Sequence, residues 1–217
     1  MLAEQHGLNA ARRIGVFGGS FDPPHLAHLA LARLAVQVLA LDELRWLPAG
    51  APWQKAGRQL ASGIHRAAML AALLRHEPGQ VIDARELARS GPTYTIDTVR
   101  ELQAELPDAD WFFIIGQDQY ARFDTWRDWR ELLQRLTLAV AARAGEPPSA
   151  PAALAAVPHR LVVLPLPRQD ISASHIRQQL AAGVPPAQLS SLVGDAVASY
   201  IDQHQPYLRG DAQGIRH

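Results

Sequence analysis

The sequence predicts an α/β fold in which helices cover both faces of a parallel sheet. Short apolar runs alternate with segments of helical periodicity, polar clusters follow three of those runs, and no internal repeat is visible. Strands that alternate with helices form parallel sheets through right-handed crossovers, and such sheets bind ligands beyond the carboxyl ends of their strands. We therefore expect a Rossmann-like, doubly wound parallel sheet with a small C-terminal helical region.

Six segments have the apolar character of buried strands. The first, RIGVF, ends at Gly18 and Gly19, and WFFII consists of large apolar residues throughout. The predicted strands cover residues 13–17, 44–48, 80–84, 111–115, 136–142 and 161–166.

Apolar spacing and helix propensity predict helices between these strands. They cover residues 25–40, 64–75, 95–105, a Trp-rich segment that ends near 135, 174–182 and 186–204. The Pro- and Ala-rich segment 146–158 is typical of a surface loop. We expect a single domain over residues 1–217, with its core at 13–170 and its helical part at 171–207.

Composition narrows the possible function classes. The chain has 217 residues, of which 48% are hydrophobic, enough for one domain with a sizeable core. The 21 basic residues balance the 21 acidic ones, which argues against nucleic acid or a membrane as a partner and makes any phosphate recognition local. The lack of cysteine excludes disulfides and thiolate metal sites. Without an apolar leader or a run of about 18 apolar residues, a cytoplasmic protein is expected.

The first strand runs into GGSFDPPHLAH, a glycine turn followed by a helix start. Glycine lets the backbone approach a ligand closely, and the N–H groups at a helix N-terminus attract phosphate. His25 and His28 lie three residues apart, so both can donate from one helix face to phosphate oxygens. The pair could instead be half of a metal site or a solvated helix start. Asp22 could fix the turn or orient a histidine.

A second polar cluster, ISASHIR at residues 171–177, follows the last predicted strand. Ser172 and Ser174 lie at a helix start and Arg177 follows one turn later, a combination that can cradle a polyphosphate. Because an N-capping serine is common, this element is weak on its own. Its pairing with GGSFDPPHLAH across an α/β domain makes both elements informative.

Together the two elements resemble the signature of the nucleotidyltransferase superfamily, GG[ST]FDPxHxGH followed by ISSTxIR. Ala27 replaces the usual glycine before the second histidine, and Ser174 stands where threonine is common. The superfamily joins a nucleotide to a phosphorylated acceptor. The resemblance implies Mg²⁺ as the cofactor, held mainly by phosphates and water rather than by protein ligands.

Three further segments closely resemble the bacterial nicotinate-nucleotide adenylyltransferases. They are LPAGAPWQK at 47–55, RELARSGPTYTIDTVREL at 85–102 and FIIGQDQYARFDTW at 113–126. In the first of them Trp53 and Gln54 depart from the family pattern, whereas Lys55, the only lysine of the chain, is retained. The resemblance implies adenylyl transfer from ATP to nicotinic acid mononucleotide, giving nicotinic acid adenine dinucleotide and pyrophosphate in NAD biosynthesis.

The resemblance also assigns roles to the positions that match its motifs. It implies that His25, His28 and Arg177 are catalytic residues in contact with the ATP phosphates. The other residues expected to bind ATP and its phosphates are Gly18, Gly19, Ser20, Phe21, Lys55, Gly116, Asp118, Ser172 and Ser174. Asp118 follows a strand where a carboxylate can hold ribose hydroxyls, although a helix N-cap needs an Asp equally.

Nicotinate is a flat ring with a carboxylate, so it needs an aromatic face and N–H donors. Trp126 lies after strand 111–115 and suits ring stacking, and the resemblance adds Tyr94, Thr95 and Arg127 to this subsite. Trp126 could instead be a surface aromatic packed on its own helix, and Tyr94 with Thr95 could merely cap the next helix.

Two rival functions remain at this stage. The acceptor could be nicotinamide mononucleotide, phosphopantetheine or a sugar phosphate, since the phosphate motifs do not choose between them. The chain could also be a regulatory module that binds nucleotides without turnover, but the complete histidine pair and Ser/Arg element argue against that. The sequence predicts no oligomeric state.

Overall fold

The computed structural model describes residues 11–52, 60–142, 146–167 and 169–207. The predicted phosphate-binding residue Lys55 lies outside these residues, so the structure does not place it. Among the described residues, no helix has the length and apolar character needed to cross a membrane.

Eight strands are present in the described part of the chain. They are β1 (Arg13–Gly19), β2 (Glu43–Pro48), β3 (Ala51–Pro52), β4 (Gln80–Ile82), β5 (Pro92–Thr93), β6 (Asp110–Gly116), β7 (Thr137–Ala142) and β8 (Leu161–Pro165). The short strands β3 and β5 pair with each other, and the other six form one parallel sheet.

The strand order of the large sheet is β4–β2–β1–β6–β7–β8. The chain therefore builds the sheet outward from β1 in one direction and then returns to build outward from β6 in the other. This doubly wound order confirms the predicted fold class. It also creates a crevice between the carboxyl ends of β1 and β6, where open parallel sheets bind their ligands.

Nine helices accompany the strands within the described residues. They are α1 (Leu26–Leu39), α2 (Gly63–Leu73), α3 (Thr95–Glu105), α4 (Gln117–Tyr120), α5 (Trp129–Arg135), α6 (Ala152–Ala155), α7 (Ala173–Ala181), α8 (Ser190–Val193) and α9 (Asp195–His204). Short 3₁₀ turns cover Arg85–Ala88, Phe123–Thr125 and Pro186–Leu189.

Two predicted elements were wrong in detail. The predicted helix 186–204 is a 3₁₀ turn followed by α8 and α9. The break between α8 and α9 lies at Gly194, whose φ of 85° an α-helix cannot accommodate. The predicted surface loop 146–158 contains α6, and its Leu154 is fully buried in the core. The Trp-rich helix, α5, ends at Arg135 as predicted, and a 3₁₀ turn precedes it.

The core lies on both faces of the sheet, because successive side chains of a strand point to opposite sides. Phe113 and Ile115 of β6 pack with α3 and α5, whereas Phe112 and Ile114 pack on the other face with α1. A third apolar cluster joins α2 to the C-terminal helices through residues that include Met69. This third cluster brings the end of the described chain beneath the turn that follows β1.

Candidate active site

A cleft of about 390 Å³ opens at the carboxyl ends of β1 and β6, at the point where the strand order reverses. Its lining combines the glycine turn after β1, the start of α3 and the segment after β6. Its lining residues include Gly18, Gly19, Ser20, His28, Glu86, Thr93, Thr95, Gly116, Gln119 and Trp126. Sequence motifs from three separate parts of the chain therefore meet in one cavity.

The turn after β1 brings backbone, rather than bulky side chains, to the cleft. A Cβ added at Gly19 would lie 2.9 Å from the ring of Phe21, so the turn requires glycine there. Phe21 has a left-handed backbone, with φ 46°, and its buried ring contacts Phe17 edge to face. Phe21 was predicted to bind phosphate, but its side chain belongs to the core, so only its backbone can reach a ligand.

The two histidines stack at the start of α1. His25 is the N-cap, and its backbone N–H donates to Nδ1 of His28 over 3.2 Å. The ring centroids lie 3.6 Å apart, and the planes are inclined by 24°. Because Nδ1 of His28 accepts a hydrogen bond, a neutral His28 ring carries its proton on Nε2 and can donate that proton to a ligand. His28 also lines the cleft.

His25 is the more buried histidine of the pair, with 6% of its surface exposed. Burial lowers its pKa to about 4, because desolvation disfavours the charged ring. Its Nδ1 is buried and has no hydrogen-bond partner among the described residues. His25 is therefore a neutral ring near pH 7 and can act there as a hydrogen-bonding group, not as a cation.

The start of α7 joins the turn after β1 through side chains. Ser172 caps α7 and accepts a hydrogen bond from the backbone N–H of His175 over 3.2 Å. Arg177 donates to Oγ of Ser174 over 3.2 Å and to the backbone carbonyl of Asp22. Its Nη1 also lies 3.6 Å from the Asp22 carboxylate. The structure thus brings the two motifs predicted to bind phosphate into direct contact.

The opposite side of the cleft is aromatic. Trp126 stacks on Phe123, with ring centroids 5.1 Å apart, and meets Phe113 edge to face at 5.8 Å. Its Nε1 is buried without a hydrogen-bond partner among the described residues. Trp126 therefore packs on its own 3₁₀ turn and lines the cleft at the same time, which combines the two interpretations that its sequence position left open.

Tyr94 is the N-cap of α3, and Thr95 is its first residue and lines the cleft. The free N–H groups of the first turn of α3 therefore lie at the cleft. The guanidinium of Arg127 lies over the ring of Tyr94, 4.6 Å from its centroid. Arg127 is largely exposed at the rim of the aromatic side, where its Nε lies 3.8 Å from the carboxylate of Asp128.

A profile of the cytidylyltransferase-like family matches residues 16–179. The chain is 54% identical over 203 residues to the probable nicotinate-nucleotide adenylyltransferase of Methylibium petroleiphilum, with 92% of this chain and 95% of the relative covered. It is 48% identical over 200 residues to the probable nicotinate-nucleotide adenylyltransferase of Bordetella petrii, with 90% and 99% covered. The chain belongs to the nicotinate-nucleotide adenylyltransferase family.

Solved structures share the fold of this family member. The nicotinic acid mononucleotide adenylyltransferase of Plasmodium falciparum complexed with NaAD superposes with a TM-score of 0.74 at 18% identity, covering 90% of this chain and 97% of that one. This likeness confirms the fold, and the identities to the two relatives confirm the family that the sequence resembles. The chain is an enzyme of the nucleotidyltransferase class, and adenylyl transfer in NAD biosynthesis is the activity of its family.

In the segment after β6, the residue that lines the cleft is not the one that the sequence predicted. Gly116 lines the cleft and precedes α4 as its N-cap. Asp118 is exposed on the first turn of α4, and Gln119 is the side chain of this turn that lines the cavity. Asp118 is not the N-cap, so the capping alternative is wrong, and its role toward ribose stays a prediction.

Sequence reasoning did not assign a role to several buried polar groups around the cleft. Glu86 lies in the RELARSG segment, and its carboxylate accepts a hydrogen bond from Oγ1 of Thr98 over 2.7 Å. Burial raises the pKa of Glu86. Arg66 and Tyr207 lie below the turn after β1. An Arg in an apolar helix and a Tyr near the chain end carry no motif signal that could have singled them out.

Proposed function

We propose that this enzyme transfers the adenylyl group of ATP to the 5′-phosphate of nicotinic acid mononucleotide at the cleft between β1 and β6. One observation carries the proposal: a single cavity has hydrogen-bond donors for phosphate on one side and a half-buried indole on the other. A dinucleotide product needs both kinds of surface, because its charged phosphates lie between two ribosyl groups and its nicotinate ring lies at one end.

The reaction is a direct displacement without a covalent enzyme intermediate. A phosphate oxygen of the mononucleotide forms a bond to the α-phosphorus of ATP, the bond to the bridging oxygen breaks, and pyrophosphate leaves with the electron pair. The acceptor phosphate is already an anion near pH 7, so no strong general base is needed. Catalysis rests on alignment and on stabilising negative charge as it develops.

The chain's own groups supply that stabilisation. His28, with its donor on Nε2, and the N-terminal N–H groups of α1 face the transferred phosphate. The low pKa of His25 fits a neutral donor role and makes this ring a poor general base. Ser174 and Arg177 hold the β- and γ-phosphates as they depart, because a guanidinium matches phosphate geometry.

Mg²⁺ fits the donor set of this cleft. The side chains lining its phosphate side are neutral or donate hydrogen bonds, and the cleft carboxylate of Glu86 is engaged by Thr98. Mg²⁺ retains much of its water and needs few protein ligands, so the triphosphate and water would hold it. When bound, the ion neutralises part of the phosphate charge.

The acceptor side recognises the nicotinate ring. The face of Trp126 stacks on the pyridine ring, and the N–H groups at the start of α3, beside Thr95, receive its carboxylate. Arg127 contributes a cation at the rim, where its guanidinium lies over the ring of Tyr94. A carboxamide lacks the negative charge that these groups favour, so the acid should be the better acceptor.

Pyrophosphate release with ATP and Mg²⁺ tests this proposal directly. We expect much faster release with nicotinic acid mononucleotide than with nicotinamide mononucleotide, phosphopantetheine or a sugar phosphate. Preference for the amide would keep the phosphate chemistry and overturn the role given to the Trp126 side. Release with none of these acceptors would overturn the proposed reaction.

A further inference from the structure

A buried carboxylate lies directly under the glycine turn. Asp22 is 1% exposed, and its Oδ1 accepts hydrogen bonds from the backbone N–H of Ala61 over 3.2 Å and from the hydroxyl of Tyr207 over 3.0 Å. Its Oδ2 has no hydrogen-bond partner among the described residues, and Nη1 of Arg177 is 3.6 Å away. Oδ1 is therefore held by hydrogen bonds, whereas Oδ2 lies beside the guanidinium of Arg177.

Two guanidinium groups compensate this buried charge. Arg66 is buried and donates to the backbone carbonyls of Ser20 and Ala61, over 2.9 Å and 3.0 Å. Burial lowers the pKa of Arg66, and the negative charge of Asp22 opposes that shift. Arg66 thus holds the turn to α2 and shares the charge of Asp22. Arg177 is the second guanidinium beside this carboxylate, with Nη1 3.6 Å from Oδ2.

Tyr207 reaches this carboxylate from beyond the end of α9. Burial raises its pKa, and the negative charge of Asp22 raises it further, so the phenol remains protonated and donates. The carboxylate group of an Asp rotates about a broad torsion, so it has little preferred orientation of its own. With Oδ1 held by Tyr207 and Ala61, Oδ2 is directed toward Arg177.

We propose that Tyr207 is a positioning residue for adenylyl transfer, which acts through Asp22 to set the orientation of Arg177. The inference rests on the proposed function, in which Arg177 binds the departing phosphates. A guanidinium carries five N–H donors in a fixed plane. Nη1 of Arg177 donates to the backbone carbonyl of Asp22 and lies 3.6 Å from its Oδ2, and Nη2 donates to Ser174. The carbonyl and Ser174 fix the guanidinium plane, the charge of Oδ2 stabilises it there, and further donors remain for phosphate oxygens.

The test is Tyr207→Phe, which removes the hydroxyl and keeps the ring. Its matched control is Tyr200→Phe, because the hydroxyl of Tyr200 on α9 lies 3.0 Å from Nδ1 of His65 on α2, outside the site. We expect Tyr207→Phe to lower kcat and kcat/KM for ATP about 10-fold, with KM for nicotinic acid mononucleotide unchanged. Tyr200→Phe should stay within about 2-fold of the parent enzyme.

A double-mutant cycle with Arg177→Ala separates positioning from general structural support. If Tyr207 acts through Arg177, Tyr207→Phe should have no further effect in the Arg177→Ala background. An equal loss in both backgrounds, or no loss in the parent background, would overturn the inference. Thermal unfolding of each variant shows whether a loss of activity merely follows a loss of fold.

A spectroscopic measurement distinguishes failure of this inference from failure of the proposed function. The Nε–H signal of Arg177 in the ligand-free protein, assigned by its loss in Arg177→Lys, should shift or broaden in Tyr207→Phe and not in Tyr200→Phe. An unchanged signal would overturn the positioning role. A changed signal in an enzyme whose Arg177→Ala variant has parental kinetics would instead support positioning and remove Arg177 from the proposed reaction.

Discussion

The phosphate side and the aromatic side of the cleft are organised by different interactions. On the phosphate side, charges and hydrogen bonds at Ser20 and Asp22 link the turn after β1 to α2, α7 and Tyr207. On the other side, Trp126 is held by ring packing against Phe113 and Phe123. Hydrogen bonds set directions closely, whereas ring packing sets a surface. Substitutions on the first side should therefore affect the chemical step, and those on the second should affect acceptor binding.

The largest effect is expected for His28→Ala, which removes the donor nearest the transferred phosphate. Loss of one preorganised donor to developing negative charge typically costs about 10²–10³ in rate. We expect kcat to fall by that factor, measured as pyrophosphate release, with the thermal unfolding curve unchanged. His76→Ala is a suitable control, since that histidine is exposed in the turn that follows the C-terminal end of α2. Near-parental turnover would remove His28 from the chemistry.

A smaller effect concerns stability at low pH. The pKa of His25 is about 4 in the folded protein and 6.5 in the unfolded one, so between these values the unfolded chain binds more protons. The contribution of the neutral His25 ring to the free energy of unfolding is fully present above pH 6.5 and is lost as the pH falls toward 4. By about pH 5 the loss is on the order of 2 kcal/mol.

Urea unfolding of the parent protein and of His25→Asn, at about pH 7.5 and about pH 5, measures this loss. The asparagine variant cannot take up a proton at this position, so its stability should fall less between the two pH values. Equal falls for the two proteins would show that His25 is not held neutral by burial.

The smallest effect is expected on the aromatic side. Trp126→Ala should raise KM for nicotinic acid mononucleotide about 10-fold, or about 1.4 kcal/mol, because the ring loses its stacking surface. KM for ATP should change far less and serves as the internal control. Trp126→Phe retains an aromatic face and should restore part of the affinity. Equal rises in KM for both substrates would contradict ring stacking and the assignment of acceptor binding to the aromatic side.

The sequence could predict whatever depends on local spacing. The apolar runs gave the strands on either side of the switch point, and the interval between His25 and His28 placed both rings at one helix start. The sequence could not predict which face of the four-residue helix α4 meets the cleft. Asp118 and Gln119 are adjacent, and only the structure shows that Gln119 lines the cleft.

Contacts between residues far apart in the sequence could not be predicted either. Leu154 lies in a Pro- and Ala-rich segment whose composition indicates a loop, yet it fills a core position. The carboxylate of Asp22 and the hydroxyl of Tyr207 meet only because α9 docks on α2. No periodicity or motif connects two such residues, since their contact depends on the packing of whole helices.

The bond between Asp22 and Tyr207 joins residues 185 positions apart, which gives it a consequence for biosynthesis. Contacts of large sequence separation form only after the intervening chain has been arranged, and closing so long a loop has an entropic cost. A nascent chain still lacking Tyr207 already contains the glycine turn and both histidines. During synthesis on the ribosome, the hydrogen bond from Tyr207 to Asp22 is thus among the last contacts of the phosphate side to form.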